Sequence, residues 1–247
     1  LIVAKNVVAH VPDIRDFIRG LSKITGENTL VVVEAPSILN ILQGMQFDTV
    51  YHEHFSYLSA SFFDSILSEF NLKLTGAEVV STHGGSMRLF IKGKNSKITL
   101  PDRLASGLQE MLAKEKSAGI SSPQNWEDLS SRIGALLQEF REWVATQGGR
   151  LIGYGAAAKA VTLLSAAQVP RGAISFCIDN AESKIGRFIP GSNTKIVSES
   201  DYFENLSRTE DRFIIFPWNL KTEISQRIRE RSNDSKIFVA LPALREV

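Results

Sequence analysis

The sequence of 247 residues holds a single cysteine, Cys177. No disulfide can therefore close within the chain, and the composition suits a reducing compartment. Charge of one sign is lacking too. The 28 Lys and Arg against 27 Asp and Glu leave a net +1, which argues against a partner held mainly by electrostatics, such as nucleic acid or a charged membrane surface. No apolar run approaches the length that crosses a bilayer, and no signal peptide is visible. There is no internal repeat, low-complexity tract or charge block. With 43% hydrophobic and 22% charged residues, the expectation is a cytoplasmic globular protein that binds neither nucleic acid nor membrane. An initiator Met is also missing. Leu1-Ile2-Val3-Ala4 reads as a buried strand of a parallel sheet, rarely where a domain starts, so further strands and helices are expected upstream.

Histidine is scarce and unevenly placed. All four, His10, His52, His54 and His83, lie in the first third of the chain. Two fall in the run Tyr51-His52-Glu53-His54. Histidine titrates nearest neutrality, and a Tyr, a Glu and two His together suit proton transfer. If the run is extended, His52 and His54 share one face, Tyr51 and Glu53 the other. A His-x-His metal site with Glu53 or His10 as third ligand is the rival reading. Nucleophilic serine chemistry lacks its G-x-S-x-G elbow.

What is present is alternating α/β. After the first strand, Pro12-Asp13 opens a helix with Ile14, Phe17, Ile18, Leu21 and Ile24 on one face. Gly26 ends it, and the strand Leu30-Val31-Val32-Val33 follows. This is a βαβ unit, hence a parallel sheet. A helix is expected from about residue 61, strands at 72–75 and 78–81, and an antiparallel partner at 87–92. His83-Gly84-Gly85-Ser86 lies between them, where glycine allows close backbone approach. The polar turn near 92–96 reads as a domain boundary. Helices over 102–118 and 124–147 come next, then a second α/β pattern from Arg150 with strands at 151–152, 174–178, 213–216 and 237–240.

The second pattern opens with Gly153-Tyr154-Gly155-Ala156-Ala157-Ala158, between a strand and a helix. This fits G-x-G-x-x-G/A: glycines allow the tight turn, and free helix N–H groups meet a diphosphate. Lys159 adds a cation in the first turn. Asp179, at the end of the next strand, is placed to bond a ribose hydroxyl. Asp179-Asn180 and Trp218-Asn219 stand at carboxyl ends of strands, where ligands of open sheets bind. Trp218 is placed either to stack on a base or to pack internally. Taken alone, these residues make NAD(P) the default ligand.

Several segments match a family in order along the chain: Ala4-Lys-Asn-Val-Val-Ala-His10-Val11, Phe47-Asp-Thr-Val-Tyr-His-Glu-His-Phe-Ser-Tyr57, Thr82-His-Gly-Gly-Ser-Met-Arg88, Gly153-Tyr-Gly-Ala-Ala-Ala-Lys159, Asp179-Asn180, Gly186-Arg-Phe-Ile-Pro-Gly191 and Trp218-Asn219-Leu220. In these the sequence resembles the sugar C-methyltransferases, three-domain enzymes that methylate a ring carbon of nucleoside-diphosphate keto-deoxysugars. Ala157 and Ala160-Val161 depart from the pattern, where the family often has Pro and Gly-Asn.

The resemblance implies an α/β chain: the C-terminal half of a class I methyltransferase Rossmann-like domain, then a second Rossmann-like α/β domain. Residues 1–96 would be the end of the S-adenosylmethionine domain. Residues 97–247 would be the C-terminal domain, with a helical linker at 97–149 and a nucleotide-sugar-binding unit at 150–247. The family's cysteine-rich zinc domain and the donor's glycine loop would lie upstream. The donor site is then incomplete here, with Lys5 and Asn6 its remnant, and this stretch alone would bind the donor poorly and be inactive. No metal is expected within the chain.

The resemblance further implies His54 as the base that removes a proton beside the ketone, tuned by Tyr51, with His10 and Glu53 as a second pair. His83, Gly84, Gly85 and Ser86 would shape the sugar pocket. The Gly153 turn with Tyr154, Gly155, Ala156, Lys159, Asp179, Trp218 and Asn219 would hold the nucleotide-sugar. An NAD(P)-dependent oxidoreductase or epimerase of nucleotide sugars is the alternative, and a non-catalytic nucleotide-sugar binder a third. Oligomeric state is not legible.

Overall fold

A computed structural model describes residues 1–247, apart from the side chain of His83. The chain forms two compact units: unit 1 is Leu1–Gln43 with His52–Asp128, and unit 2 is Gly44–Tyr51 with Leu129–Val247.

Unit 1 is built on a four-stranded sheet ordered β1-β2-β4-β3. Strand β1 (Ile2–Lys5) is followed by α1 (Ile14–Ile24), β2 (Leu30–Pro36), α2 (Ile38–Gly44), α3 (Ala60–Ile66), β3 (Leu72–Val80), β4 (Ser86–Gly93) and α4 (Asp102–Ser117). β1 and β2 are parallel, as the βαβ pattern predicts, and β4 runs antiparallel to both β2 and β3. The two short strands expected at 72–81 are one strand, β3, with a bulge between Leu74 and Gly76. Local chemistry sets the helix starts. Asp13 accepts the Asp16 N–H at 3.0 Å, and Ser59 accepts the Phe62 N–H at 3.0 Å, each satisfying a first-turn donor. α3 has a second anchor, since the buried Glu115 carboxylate of α4 accepts the N–H groups of Ala60 and Ser61 at 2.8 and 2.9 Å. A carboxylate there answers the positive end of the helix. Val31, Val33, Leu89, Ile91, Phe63 and Ile18 form the core.

The division of the chain differs from the boundary expected at residue 96. Leu108 and Met111 of α4 join the unit 1 core. A Cβ on Gly107 would lie 2.3 Å from the Ala77 carbonyl oxygen, so only glycine lets α4 sit directly on β3. Of the two helices expected in the 97–149 linker, the first thus packs in unit 1, and Leu136, Phe140 and Val144 of the second pack in unit 2. Conversely, residues 44–51 belong to unit 2, because Phe47 and Met45 pack in its core.

Unit 2 holds a seven-stranded sheet ordered β11-β10-β9-β5-β6-β8-β7. Helix α5 (Pro123–Thr146) leads into β5 (Leu151–Tyr154), α6 (Ala158–Ala166), β6 (Ile174–Ile178), β7 (Phe188–Ile189) and β8 (Thr194–Val197). A short α7 (Glu199–Asp201), β9 (Arg212–Ile215), α8 (Lys221–Arg231), β10 (Lys236–Val239) and β11 (Arg245–Glu246) complete it. Strands β8, β6, β5, β9 and β10 are parallel, and β7 and β11 close the two edges antiparallel. One core gathers Phe140, Leu163, Leu164 and Ile214, and another Tyr202, Phe213, Ile224 and Ile228. This is a doubly wound, Rossmann-like arrangement whose order reverses at β5. Near the start of β5, the Arg150 guanidinium forks onto buried Asp211 at 2.9 and 2.7 Å. Among the described residues no helix is long and apolar enough to cross a membrane.

Candidate functional site

In unit 1, His10 ends a short 3-10 turn, Val8–His10, just beyond β1. Val8 and Ala9 are buried and fix that turn. The Ala9 carbonyl accepts the Phe55 N–H at 2.8 Å, which ties residues 52–56 to it. The His10 Nδ1–H donates to the Glu53 backbone carbonyl at 2.9 Å. A carbonyl only accepts, so in the neutral ring Nε2 is left as the acceptor. The His10 and His54 rings meet edge to face at 4.8 Å, and His54 meets Tyr57 at 6.3 Å.

The structure therefore brings His10 and His54 together. The expected His10–Glu53 pair is made through the main-chain carbonyl and not through the carboxylate. Residues 51–53 form a bend and turn, so the strand-like alternation considered for this run is not what places its side chains. His52 and Glu53 are exposed. Among the described residues, no group of three His, Cys, Asp or Glu stands ready to hold a metal ion.

The His83-Gly84-Gly85-Ser86 segment is a 3-10 turn, Thr82–Gly84, leading into β4; the His83 side chain lies outside the described residues. Gly84 and Gly85 take φ of 88° and 113°, a region that favours glycine. A Cβ on Gly85 would fall 2.2 Å from Asn40 Nδ2, which donates to the Gly85 carbonyl at 2.9 Å. Thr82 Oγ1 donates to Glu34 Oε1 at 3.0 Å. Glu34 is buried at the carboxyl end of β2 and takes Arg88 Nη2 at 3.0 Å and Nε at 3.2 Å, with Lys5 Nζ at 3.8 Å. Burial pushes the Glu34 carboxyl up, but hydrogen bonds from Arg88 and Thr82 and the Lys5 charge outweigh it and hold it below the usual glutamate value. Lys5 and Asn6 stand at the carboxyl end of β1, and the Asn6 N–H donates to the Glu34 carbonyl at 2.9 Å. Beside the turn lies a cavity of about 340 Å³, lined among others by Asn40, Ser86, Met87, Arg103 and Lys114.

In unit 2 the glycine turn sits between β5 and α6, as the motif predicts. A Cβ on Gly153 would lie 2.5 Å from the Phe216 ring, and one on Gly155, at φ 90°, 2.5 Å from Pro217 Cδ. Both positions require glycine. The Ala156 N–H donates to Asp179 Oδ2 at 2.8 Å, while Asp179 Oδ1 takes the Ala181 N–H at 2.9 Å and Lys184 Nζ lies 3.0 Å from Oδ2. Asp179 thus braces the turn in this state. Tyr154 Oη donates to Glu199 Oε2 at 2.7 Å, and Asn180 Nδ2 reaches the same oxygen at 3.1 Å. Burial, then Glu199, pushes the Tyr154 hydroxyl pKa up.

Lys159 does not stand free at the turn. Its Nζ lies 3.1 Å from Asp48 Oδ2 and 4.9 Å from the centre of the Trp218 ring, and Trp218 Nε1 donates to the same Asp48 oxygen at 2.8 Å. Asp48 is 1% exposed, and its Oδ1 accepts no hydrogen bond among the described residues. Burial pushes the Asp48 carboxyl up and the Lys159 ammonium down, each opposed by the other's charge. Asn219 Oδ1 is a second buried acceptor without a partner among the described residues. Glu34, Asn40, Arg88, Asp48 and Glu199 were all missed by sequence reasoning. For Glu34 the available signal was an acid inside an apolar run, Val31-Val32-Val33-Glu34-Ala35, which implies a buried partner.

Residues 81–242 match the family model described as the C-methyltransferase C-terminal domain. The whole chain aligns with the C-methyltransferase NovU of Streptomyces niveus at 29% identity over 251 residues. The chain spans 58% of that relative's length.

Proposed function

Because the chain belongs to the C-methyltransferase family, we propose that the protein methylates a carbon of a nucleoside-diphosphate keto-deoxysugar, using S-adenosylmethionine. In this reading unit 1 carries the last strands of the methyl-donor domain and the base, and unit 2 carries the nucleotide-sugar domain. The observation that supports it most is the His10–His54 ring pair at the end of β1, with His10 oriented by the Glu53 carbonyl.

A C–H bond next to a ketone is acidic enough for a positioned imidazole to deprotonate. His54 takes that proton, with Tyr51 tuning it. His10, its Nδ1–H held by a carbonyl, keeps Nε2 available to relay the proton or orient the sugar. A donor must also meet the developing enolate oxygen, and the turn before Ser86, with the cavity beside it, is the candidate for holding the sugar ring. The 153–158 turn, Tyr154, Asp179, Trp218 and Asn219 hold the nucleotide, with the open Asn219 acceptor available to a ligand donor.

Lys5 and Asn6 are this chain's residues nearest the expected donor site. The Glu34 carboxylate answers the Lys5 charge at 3.8 Å, so no uncompensated ammonium there repels a sulfonium cation. S-adenosylmethionine supplies an electrophilic methyl group, and its carboxylate and adenosine would need residues beyond these.

The base assignment has a direct test in the full-length protein. With the keto-sugar nucleotide in deuterium oxide and no methyl donor, the proton beside the ketone should exchange, as followed by NMR. His54→Gln should slow that exchange by about a hundredfold. Unchanged exchange in the variant would remove His54 from the role.

A further inference from the structure

The Asp48–Lys159–Trp218 cluster has a use that the proposed chemistry does not absorb. Asp48 lies in the 3-10 turn Phe47–Thr49, within the 44–51 segment that packs with unit 2. That turn is tight: Thr49 Oγ1 donates to the Gln46 carbonyl at 2.7 Å, and the Val50 N–H to the Phe47 carbonyl at 2.9 Å. Tyr51 follows directly. Phe47 supplies apolar contact with the unit 2 core, but apolar contact is not directional. Direction comes from one oxygen, Asp48 Oδ2, which holds both the Lys159 ammonium and the Trp218 indole N–H. Lys159 lies in the first turn of α6, where a diphosphate is expected, yet its charge is already matched by a buried carboxylate.

We propose that Asp48 is a positioning residue: with Lys159 and Trp218 it locks the 44–51 segment to the first turn of α6 and so presents Tyr51 in one place, leaving Lys159 committed to Asp48 and not to the diphosphate. This rests on the proposed role of Tyr51 in methyl transfer. It assigns diphosphate binding to the main-chain groups of the turn and to residues other than Lys159. A ligand that pulled Lys159 away would leave the Asp48 charge buried and unpaired, a costly state.

The test uses the full-length protein and separates binding from turnover. The dissociation constants of dTDP and UDP are measured by calorimetry, and kcat by methyl transfer to the keto-sugar nucleotide. Asp48→Asn and Lys159→Met should each lower kcat by about tenfold or more, since loss of placement at a reacting centre is expensive. The dissociation constant should stay within about twofold in Lys159→Met, and hold or tighten in Asp48→Asn, where an unpaired ammonium is left beside the turn. If a single variant does not fold, the double variant, which buries no unpaired charge, is read in its place with the same expectation as Lys159→Met. A dissociation constant weakened by about tenfold or more on losing the lysine, or a kcat within about twofold of the parent in every folded variant, overturns the proposal. A parent protein that binds neither nucleotide overturns the underlying assignment instead, and the inference falls with it.

Discussion

Replacing Glu34 by Gln tests how the carboxyl edge of unit 1 is held together. The wild-type carboxylate takes two guanidinium bonds from Arg88 at 3.0 and 3.2 Å and the Thr82 hydroxyl at 3.0 Å, with Lys5 at 3.8 Å. Glutamine keeps one acceptor oxygen but turns an amide N–H₂ toward cations. Breaking a buried pair costs about 3–5 kcal/mol. Here Arg88 is one-third exposed, with 34% of its side chain accessible, and keeps Glu78 at 2.8 Å. The cost therefore falls at or just below the lower end of that range, about 2–3 kcal/mol. For a chain of this size that is roughly 5–10 °C in the melting of unit 1. The pH dependence has a definite sign. The folded carboxyl is held below the usual glutamate value, so its contribution is present above the unfolded pKa and is lost as pH falls through the lower, folded one. Wild type should lose its advantage over Glu34→Gln across that acid window, and the two stability curves should converge. Urea unfolding followed at a series of pH values measures it. A cost under about 0.5 kcal/mol at neutral pH, or two curves that stay parallel into acid, would refute the reasoning.

Other substitutions and reagents probe unit 2. Gly155→Ala should cost about 2–3 kcal/mol and weaken nucleoside diphosphate binding, because φ is 90° and the new Cβ would meet Pro217 Cδ at 2.5 Å. Calorimetric melting and nucleotide titration check both effects, and wild-type values in each would count against a strained turn at the ligand site. The Cys177 thiol is buried in β6, and burial pushes its pKa up, so it should resist an aromatic disulfide reagent in the folded protein and react on unfolding. Rapid native-state labelling would contradict that placement.

The βαβ opening, the β3–β4 hairpin and the glycine turn were legible because each rests on local pattern: apolar periodicity, a capping Asp13, paired glycines. What was not legible depends on distant partners. α4 looked like a linker, and its place on β3 turns on Gly107 meeting the Ala77 carbonyl, which no helical period encodes. α2 has only seven residues, too few to show a helical face in the sequence. Edge strands as short as Phe188–Ile189 and Arg245–Glu246 carry too few residues to show alternation. In the candidate site, the four histidines stood out by their placement and the resemblance singled out His54 and His10, whereas the state of Lys159 was not legible. Its partner Asp48 lies 111 positions away, and Trp218 lies 170 from Asp48. A lysine in the first turn of a glycine-motif helix suggests phosphate, and only the fold shows a carboxylate already there.

The central claim is carbon methylation of a nucleotide keto-sugar. Its most direct measurement is incubation of the full-length protein with methyl-labelled S-adenosylmethionine and a panel of nucleoside-diphosphate keto-deoxysugars, with the product resolved by NMR. The account predicts label on a ring carbon adjacent to the ketone, joined by a new C–C bond. Label on oxygen or nitrogen, no transfer to any member of the panel, or nicotinamide-dependent turnover of the same sugars would contradict it.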